Sequence, residues 1–421
     1  MIADIQYVDC KVGVRYMVDR TQGKVMLTKF LRVFVSSLIS IILPVYLLMD
    51  NWDIGFVGLI TSLTILSAIP FNILVTYYIR RIGERRLLVV LSALMALSGV
   101  LFAWKQNYMV LIFAAVIGLV SANGTETGPF QSIEQAILSG MADEKGRTKM
   151  FSYYNLIGYT AMSLGSLFSG LPDYLSGLGV DMRVPFYIYT VAAVVQGLVY
   201  LTMGELDGMC GEDARSVMSP KDRKTVGKLS ALFSVDAFGG GFIIKNLLTT
   251  WFYLKYGMRL EELAVIFFVA DIITAISIVL SPYVAKRLGL LNTMVLTHFL
   301  SNVFLIIVPF APTALLSVAF LFVRQTVSQM DVPARQSYVM AIVKKDDRAQ
   351  AAAITNTSRT VAQSMSPPIS TQLMTVGAYT FPFVFGGGFK IAYDLAIYLE
   401  FRKIKPPEEA RTQKREGKEE E

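Results

Sequence analysis

The sequence is poor in charge, in cysteine and in histidine. Of its 421 residues 17% are charged and 54% hydrophobic, with a mean hydropathy of +0.51. A soluble domain carries about 25% charged residues, so the deficit argues against a water-soluble enzyme. Disorder is excluded as well, because apolar content is high and the net charge of +7 is modest. The two cysteines, Cys10 and Cys210, both fall in segments read as intracellular, which argues against a disulfide. Two distant cysteines and one histidine, His298, supply neither a metal signature nor a zinc ligand set. A histidine-based hydrolase would need a base other than one inside an apolar helix. The glycine–lysine pairs at Gly23, Gly227 and Gly417 are not followed by Ser or Thr, so a phosphate-binding loop is missing. No metal, cofactor or nucleic-acid partner is expected. The segment Met1 to Lys24 is polar and lacks a cleavage site, so it does not read as a secretory signal.

What the sequence has is apolar runs of membrane-crossing length. Spans are expected near Val25–Leu48, Ile54–Ile79, Leu87–Trp104, Tyr108–Leu138, Met150–Leu171 and Pro185–Met203. Six more are expected near Leu229–Tyr256, Leu260–Val284, Leu290–Pro309, Thr313–Val343, Ala349–Val376 and Tyr379–Phe401. The expected organisation is a cytoplasmic segment 1–24, a bundle 25–203, a cytoplasmic loop 204–228, a bundle 229–401 and a charged tail 402–421. One set of alternate loops is rich in Arg and Lys (Arg80, Arg81, Arg85 and Arg86; Lys344, Lys345 and Arg348), and the other set is poor in them. The positive-inside rule places the rich loops and both termini in the cytoplasm. The expected location is the plasma membrane, crossed many times by a monomer.

The halves repeat. Thr76–Gly83 reads TYYIRRIG and Pro282–Gly289 reads PYVAKRLG, at an offset of 206. At an offset of 201, Gln135 matches Gln336, Arg147 matches Arg348 and Asn155 matches Asn356. Parallel repeats about an axis along the membrane normal are one known transporter plan. Spans three, six and nine hold no Asp, Glu, Lys or Arg. Charged groups in lipid must face protein or a wet cavity, so every third span is expected to face lipid. Span twelve departs with Lys390 and Asp394, spaced to pair locally.

With these features the chain resembles the major facilitator superfamily over nearly its full length. The loop RRIGERR, Arg80 to Arg86, is similar to that family's signature loop. Arg81 and Gly83 fit it, while Thr76 stands at its first glycine and Arg80 at its acidic position. The resemblance implies an all-α membrane protein of 12 transmembrane helices in two pseudo-symmetric six-helix bundles. It also implies alternating access around a central cavity.

Spans four and ten carry the densest polar pattern. Read as continuous helices, Asn123, Thr127, Phe130 and Glu134 form one stripe, with Glu126 on its flank. Arg324, Ser328, Asp331 and Arg335 form its counterpart. Both stripes are read as cavity walls. Glu126, Asp236 and Asp271 are the candidate proton-coupling carboxylates, each with an internal salt bridge as the alternative. Asp236 precedes Gly239–Gly241, a run that permits close packing or a helix break. Arg324 is either an anchor for an anionic group or the partner of a carboxylate. Tyr154, Asn155, Lys245 and Asn356 complete the candidate cavity. Glu134 and Arg335 either form a cytoplasmic gate or pair locally. The candidate gate and loop set also includes Arg80, Arg81, Gly83, Arg147, Arg287, Gly289 and Arg348. Lys29 and Arg32 are expected to snorkel to the interface, and His298 to serve a structural hydrogen bond.

The expected function is secondary active transport of a small organic solute, coupled to protons, with export of an amphipathic compound preferred. The alternatives are uptake or facilitated diffusion of an anionic or sugar-like solute through Arg324, and a transport-inactive receptor or scaffold.

Overall fold

The computed structural model describes residues 2–104, 107–125, 128–141, 144–175, 177, 181–204, 219–344 and 347–402. Side chains 2–19, 80, 140, 144–149, 220–221, 340–341 and 348–349 lie outside the described set. Among the described residues the regular structure is helical, with no strand. The first nine α-helices are α1 (Ile2–Met49), α2 (Ile54–Leu66), α3 (Ala68–Ile82), α4 (Glu84–Trp104), α5 (Tyr108–Ile117), α6 (Pro129–Met141), α7 (Glu144–Phe168), α8 (Leu171–Tyr174) and α9 (Val184–Leu201). Then come α10 (Pro220–Gly241), α11 (Lys245–Tyr256), α12 (Leu260–Leu288), α13 (Leu290–Ile307), α14 (Ala314–Gln325), α15 (Asp331–Ile342), α16 (Arg348–Thr375) and α17 (Phe381–Phe401).

Seven helical stretches are long and apolar enough to cross a membrane: Arg20–Met49, Ile54–Ile79, Glu84–Trp104, Val184–Leu201, Asp222–Tyr256, Leu260–Leu288 and Leu290–Phe310. They match expected spans one, two, three, six, seven, eight and nine. Helix α1 runs without a break through the segment expected to precede the first span. Helix starts follow local chemistry. Asn107 accepts from Val110 N at 3.0 Å to cap α5, and Ser219 accepts from Asp222 N at 3.2 Å to cap α10.

Spans four and ten are not continuous helices, which corrects the stripe argument. The chain between α5 and α6 holds Leu119 at φ 50°, Gly124 at φ 70° and Gly128 at φ 129°. Left-handed backbone ends a right-handed helix, and Pro129 disfavours helical geometry at the residue before it. Asn123 therefore lies in the non-helical stretch, off the helix that carries Phe130 and Glu134. Between α14 and α15 the break falls at 326–330. Pro333 has no amide proton, and its ring would collide with the carbonyl of residue 329 in a continuous helix.

The chain forms two compact units: Met1–Leu43 with Ser67–Glu212, and Pro44–Leu66 with Asp213–Glu421. In the first unit α4 packs along α9, and a Cβ on Gly99 would meet Thr190 Oγ1 at 2.4 Å. Tyr187, Val191, Val194, Leu198 and Leu201 expose the other face of α9, as a lipid-facing helix requires. In the second unit α10 packs against α16 and α17, and α2 packs on α16. Ser62 Oγ donates to Ser364 O, and Thr61 Oγ1 donates to Asn246 Oδ1 at 3.1 Å. The repeat is visible in backbone geometry. Gly83 after α3 and Gly289 after α12 have φ of 85° and 81°, and each N–H caps the carbonyl four residues earlier. Only glycine adopts that geometry freely.

The glycine run of α10 serves close approach. A Cβ on Gly239 would lie 2.8 Å from the carbonyl oxygen of Gly386, and one on Gly241 would lie 2.3 Å from that of Gln363. Small residues let membrane helices meet backbone to backbone. Gly241→Ala is expected to lower stability by about 1–3 kcal/mol. Gly388→Ala, with open space around the new methyl, is expected to be neutral. Unfolding of both variants in detergent micelles checks this, and equal stabilities would sink it.

Candidate functional site

In the first unit one carboxylate gathers four side chains. Thr28 and Arg32 stand one turn apart on α1, Glu134 on α6, Tyr154 on α7 and Tyr200 at the end of α9. Glu134 Oε1 accepts from Thr28 Oγ1 at 2.8 Å, Arg32 Nη1 at 3.2 Å and Tyr200 OH at 2.6 Å. Its Oε2 accepts from Arg32 Nη2 at 2.5 Å and Tyr154 OH at 2.7 Å. The Arg32 guanidinium also lies 4.6 Å from the Phe130 ring centre. Glu134 is fully buried, and Arg32 and Lys29 are buried too, so neither cation snorkels as expected. The physical reason is the sealed carboxylate: a buried counter-charge outweighs the pull of the interface on Arg32. Lys29 lies with its ammonium 4.4 Å from the Tyr154 ring centre. It lines a cavity of about 90 Å³ together with Gln131, Asn155, Gly158, Tyr159 and Met162.

The second unit builds a larger network around Asp236 on α10. Its Oδ2 accepts from Arg359 Nη1 at 2.7 Å and from Arg335 Nη1 at 3.4 Å. Its Oδ1 accepts from Lys390 Nζ at 3.0 Å and lies 3.3 Å from His298 Nε2. The same Nε2 is 3.2 Å from Lys390 Nζ. On the far side of the ring, His298 Nδ1 meets Asp394 Oδ1 at 2.7 Å, and Asn302 Nδ2 donates to Asp394 Oδ2 at 3.2 Å. Arg335 also reaches Asp331 Oδ2 at 3.0 Å. The network thus draws on α10, α13, α15, α16 and α17.

Two expectations change here, and one open alternative gains partners. His298 and Asn302 are buried, so span nine turns one face inward rather than wholly to lipid. Its exposed side is carried by Leu296, Phe299 and Leu300. Lys390 and Asp394 bond to Asp236 and His298, not to each other as a local pair. Glu134 and Arg335 are each bonded within their own unit, which is the local alternative to a gate. Charge parity explains the first two changes: Asp236 and Asp394 on the inner faces draw every nearby donor toward them.

The remaining candidates fall in separate places. Lys245 Nζ bonds Asp271 Oδ2 at 2.6 Å in a buried pair, the salt-bridge alternative for Asp271. Arg324 Nη1 donates to Gln325 Oε1 at 2.8 Å, Ser328 Oγ donates to the same oxygen at 2.8 Å, and Gln325 Nε2 donates to Thr274 Oγ1 at 3.2 Å. Asn123 is half-buried and Asn356 exposed. Arg81 is exposed over the Tyr77 ring, and Arg287 is exposed on the last turn of α12. Arg80, Arg147 and Arg348 belong to α3, α7 and α16, with side chains outside the described set. Glu126 and Thr127 lie outside the described residues.

Sequence reasoning did not assign Arg32, Tyr200, Arg359, His298, Lys390 or Asp394 to a site. The signal was present: a lone histidine and two charges in otherwise apolar spans, all of which need partners. The repeat also hides an inversion. In the first unit the cation is on α1 and the carboxylate on α6; in the second the carboxylate is on α10 and the cation on α15. At the 201 offset Glu134 corresponds to Arg335, and Gly158 beside the cavity corresponds to Arg359.

The sequence profile described as Major Facilitator Superfamily matches residues 25–367. An uncharacterized membrane protein of Saccharomyces cerevisiae, YJR124C, is 26% identical over 411 residues, covering 88% of this chain and 92% of that one. The crystal structure of the nucleoside transporter NupG is similar with a TM-score of 0.72 at 13% identity, covering 90% of this chain and 98% of that chain. A D-xylose-proton symporter gives a TM-score of 0.67 at 15% identity, covering 92% and 97%.

Proposed function

The chain belongs to the Major Facilitator Superfamily, and on that premise we propose that it is a secondary active transporter of a small organic solute, coupled to protons through His298. It works by alternating access as a monomer in the plasma membrane, with both termini cytoplasmic.

One observation carries the coupling: the two-sided environment of His298 Nε2. A bare Nε2 accepts from Lys390 Nζ at 3.2 Å, and a protonated Nε2 donates to Asp236 Oδ1 at 3.3 Å. Both protonation states of the ring therefore find a partner, while Nδ1 stays on Asp394. Charge parity points the same way. Asp236, Asp331 and Asp394 balance Arg335, Arg359 and Lys390, so the protonation of His298 sets whether this network is neutral or carries one positive charge. A buried network that changes by one unit charge has a reason to change conformation. This supports His298 with Asp394 as the proton-handling pair and gives Asp236 the role of its fixed counter-charge. The cavity beside Gly158 supports a solute with both polar and apolar parts, since an ammonium, two amides, a phenol and a thioether line it.

The test uses purified protein in liposomes, with a solute first found by thermal stabilisation across a compound panel. An imposed pH gradient is expected to drive accumulation by the natural chain. His298→Gln is expected to reduce gradient-driven accumulation at least about tenfold, while exchange of solute for solute continues. Gradient-driven accumulation that survives in the variant overturns the assignment.

A further inference from the structure

Every guanidinium in the two networks meets a carboxylate. Arg32 meets Glu134, Arg335 meets Asp331 and Asp236, and Arg359 meets Asp236. Arg324 differs. Its residue exposure is 9%, and no carboxylate among the described residues lies within ion-pair distance of it. One neutral acceptor holds it, Gln325 Oε1, and its Nε is sealed from solvent without an acceptor. Asp331 lies near enough for its field to be felt, but its Oδ2 accepts from Arg335. Asp271, one turn before Thr274 on α12, is engaged by Lys245 at 2.6 Å.

A buried cation without a counter-charge is costly, and leaving its N–H groups unbonded adds to the cost. The side chain that touches it supplies no charge and holds it in place, while Asp331 offsets only part of the cost from a distance. Gln325 is fixed by Thr274 on α12 and by Ser328, and its oxygen orients the guanidinium. A fork held in position with N–H groups left over is what recognition of an oxyanion requires. Arg324 also stands on the last turn of α14, directly before the helix break at 326–330. Interrupted helices border transporter binding sites.

We propose that Arg324 is the anchor for the carboxylate or phosphate group of a small organic anion, and that this anion is the transported solute. The proposal rests on the transporter reading above and adds the charge class of the cargo. The site is kept unpaired because the missing counter-charge arrives with the ligand.

The experiment measures thermal unfolding of the full chain in detergent with succinate, benzoate, inorganic phosphate and, as neutral control, dimethyl succinate. At least one of the three anions is expected to raise the unfolding temperature, and the neutral diester is expected to leave it unchanged. Succinate and benzoate against phosphate decide between a carboxylate and a phosphate group. Arg324→Gln is expected to weaken the response to that anion roughly 10- to 100-fold in concentration. Without ligand the same variant is expected to unfold at a higher temperature, because it removes an unpaired buried charge. Arg324→Lys covers the case in which glutamine disturbs the fold. It keeps the charge but not the fork, and is expected to weaken binding roughly tenfold. No response to any of the anions, equal response to the diester, or unchanged affinity in the lysine variant overturns the proposal. The two readings fail differently. Transport of a neutral solute with Arg324 indifferent to it removes the anion and keeps the transporter. An anion that binds through Arg324 but crosses no liposome keeps the site and removes the transporter.

Discussion

Asp236→Ala is expected to lower stability by about 3–5 kcal/mol, the typical cost of stripping one partner from a buried ion pair. Asp236 is the only carboxylate described that touches Arg359 or Lys390, but both cations keep some exposure, so the loss is placed at the lower end of that range. Its removal leaves Arg335, Arg359 and Lys390 converging on an empty position with His298 beside them. Arg335 retains Asp331, so its share of the loss is the smallest. Pairs of changes give a sharper test of the balance. Lys390→Met in the Asp236→Ala background removes one of the unbalanced cations, and is expected to recover part of the lost stability. The same Lys390→Met change in the natural chain is expected to destabilise, because it leaves the carboxylate short of a donor. The sign reversal is the signature of charge parity, and a coupling of about 0.5–3 kcal/mol is the expected size. Unfolding of the four chains in mixed micelles measures it. Additive effects would remove the basis for reading the cluster as one balanced unit.

The fold was legible because lipid permits so few solutions. Backbone groups in hydrocarbon must bond within a helix, so each apolar run of sufficient length announces its structure. The repeat was legible for a similar reason: a glycine after two basic residues marks a helix end that needs positive φ, and Gly83 and Gly289 both have it. The breaks were less visible. Gly118, Gly124, Gly128 and Pro129 stand in the sequence as breakers, but a run of apolar residues around them reads as one span. Reading spans four and ten as unbroken helices put Asn123 on a stripe with Glu134 that the backbone does not sustain.

The site was less legible than the fold because side-chain pairing in a bundle is a property of several helices at once. Asp236 was identifiable as a buried acid from its place in span seven. Nothing along the chain announced that its partners sit on α13, α15, α16 and α17. The rule that uncharged spans face lipid also misled at span nine, since histidine and asparagine carry no formal charge yet need burial partners as much as aspartate does. His298 Nδ1 and Asn302 Nδ2 meet that need through Asp394. The inverted polarity of the repeat has a consequence for function. The first unit balances Arg32 against Glu134 with tyrosine and threonine hydroxyls as the remaining donors, while the second unit adds an imidazole to a balanced set. Two halves of common plan thus carry unlike side chains at their polar centres, one with hydroxyls around an ion pair and one with an imidazole among carboxylates and cations.

That contrast sets the second large effect. Glu134→Ala is expected to cost about 3–5 kcal/mol, because it strips the buried Arg32 guanidinium of the carboxylate that takes two of its N–H groups. The Tyr154 and Tyr200 hydroxyls lose their acceptor in the same step. Arg32→Met alone is expected to cost a similar amount, now by leaving the carboxylate with three hydroxyl donors and no cation. The double variant Arg32→Met, Glu134→Leu fills the space with apolar volume and leaves no isolated charge. It is expected to be more stable than either single variant, since replacing a whole buried pair is often close to neutral whereas halving it is not. The two tyrosines set the limit to this recovery, at about 1–3 kcal/mol for each hydroxyl left unbonded. The cage holds no imidazole, so the double variant is also expected to keep the pH-gradient response that His298→Gln removes. Unfolding in micelles and gradient-driven flux in liposomes are both required on the same chains. A double variant that folds well but has lost coupling would move the proton pathway from the second unit to the first.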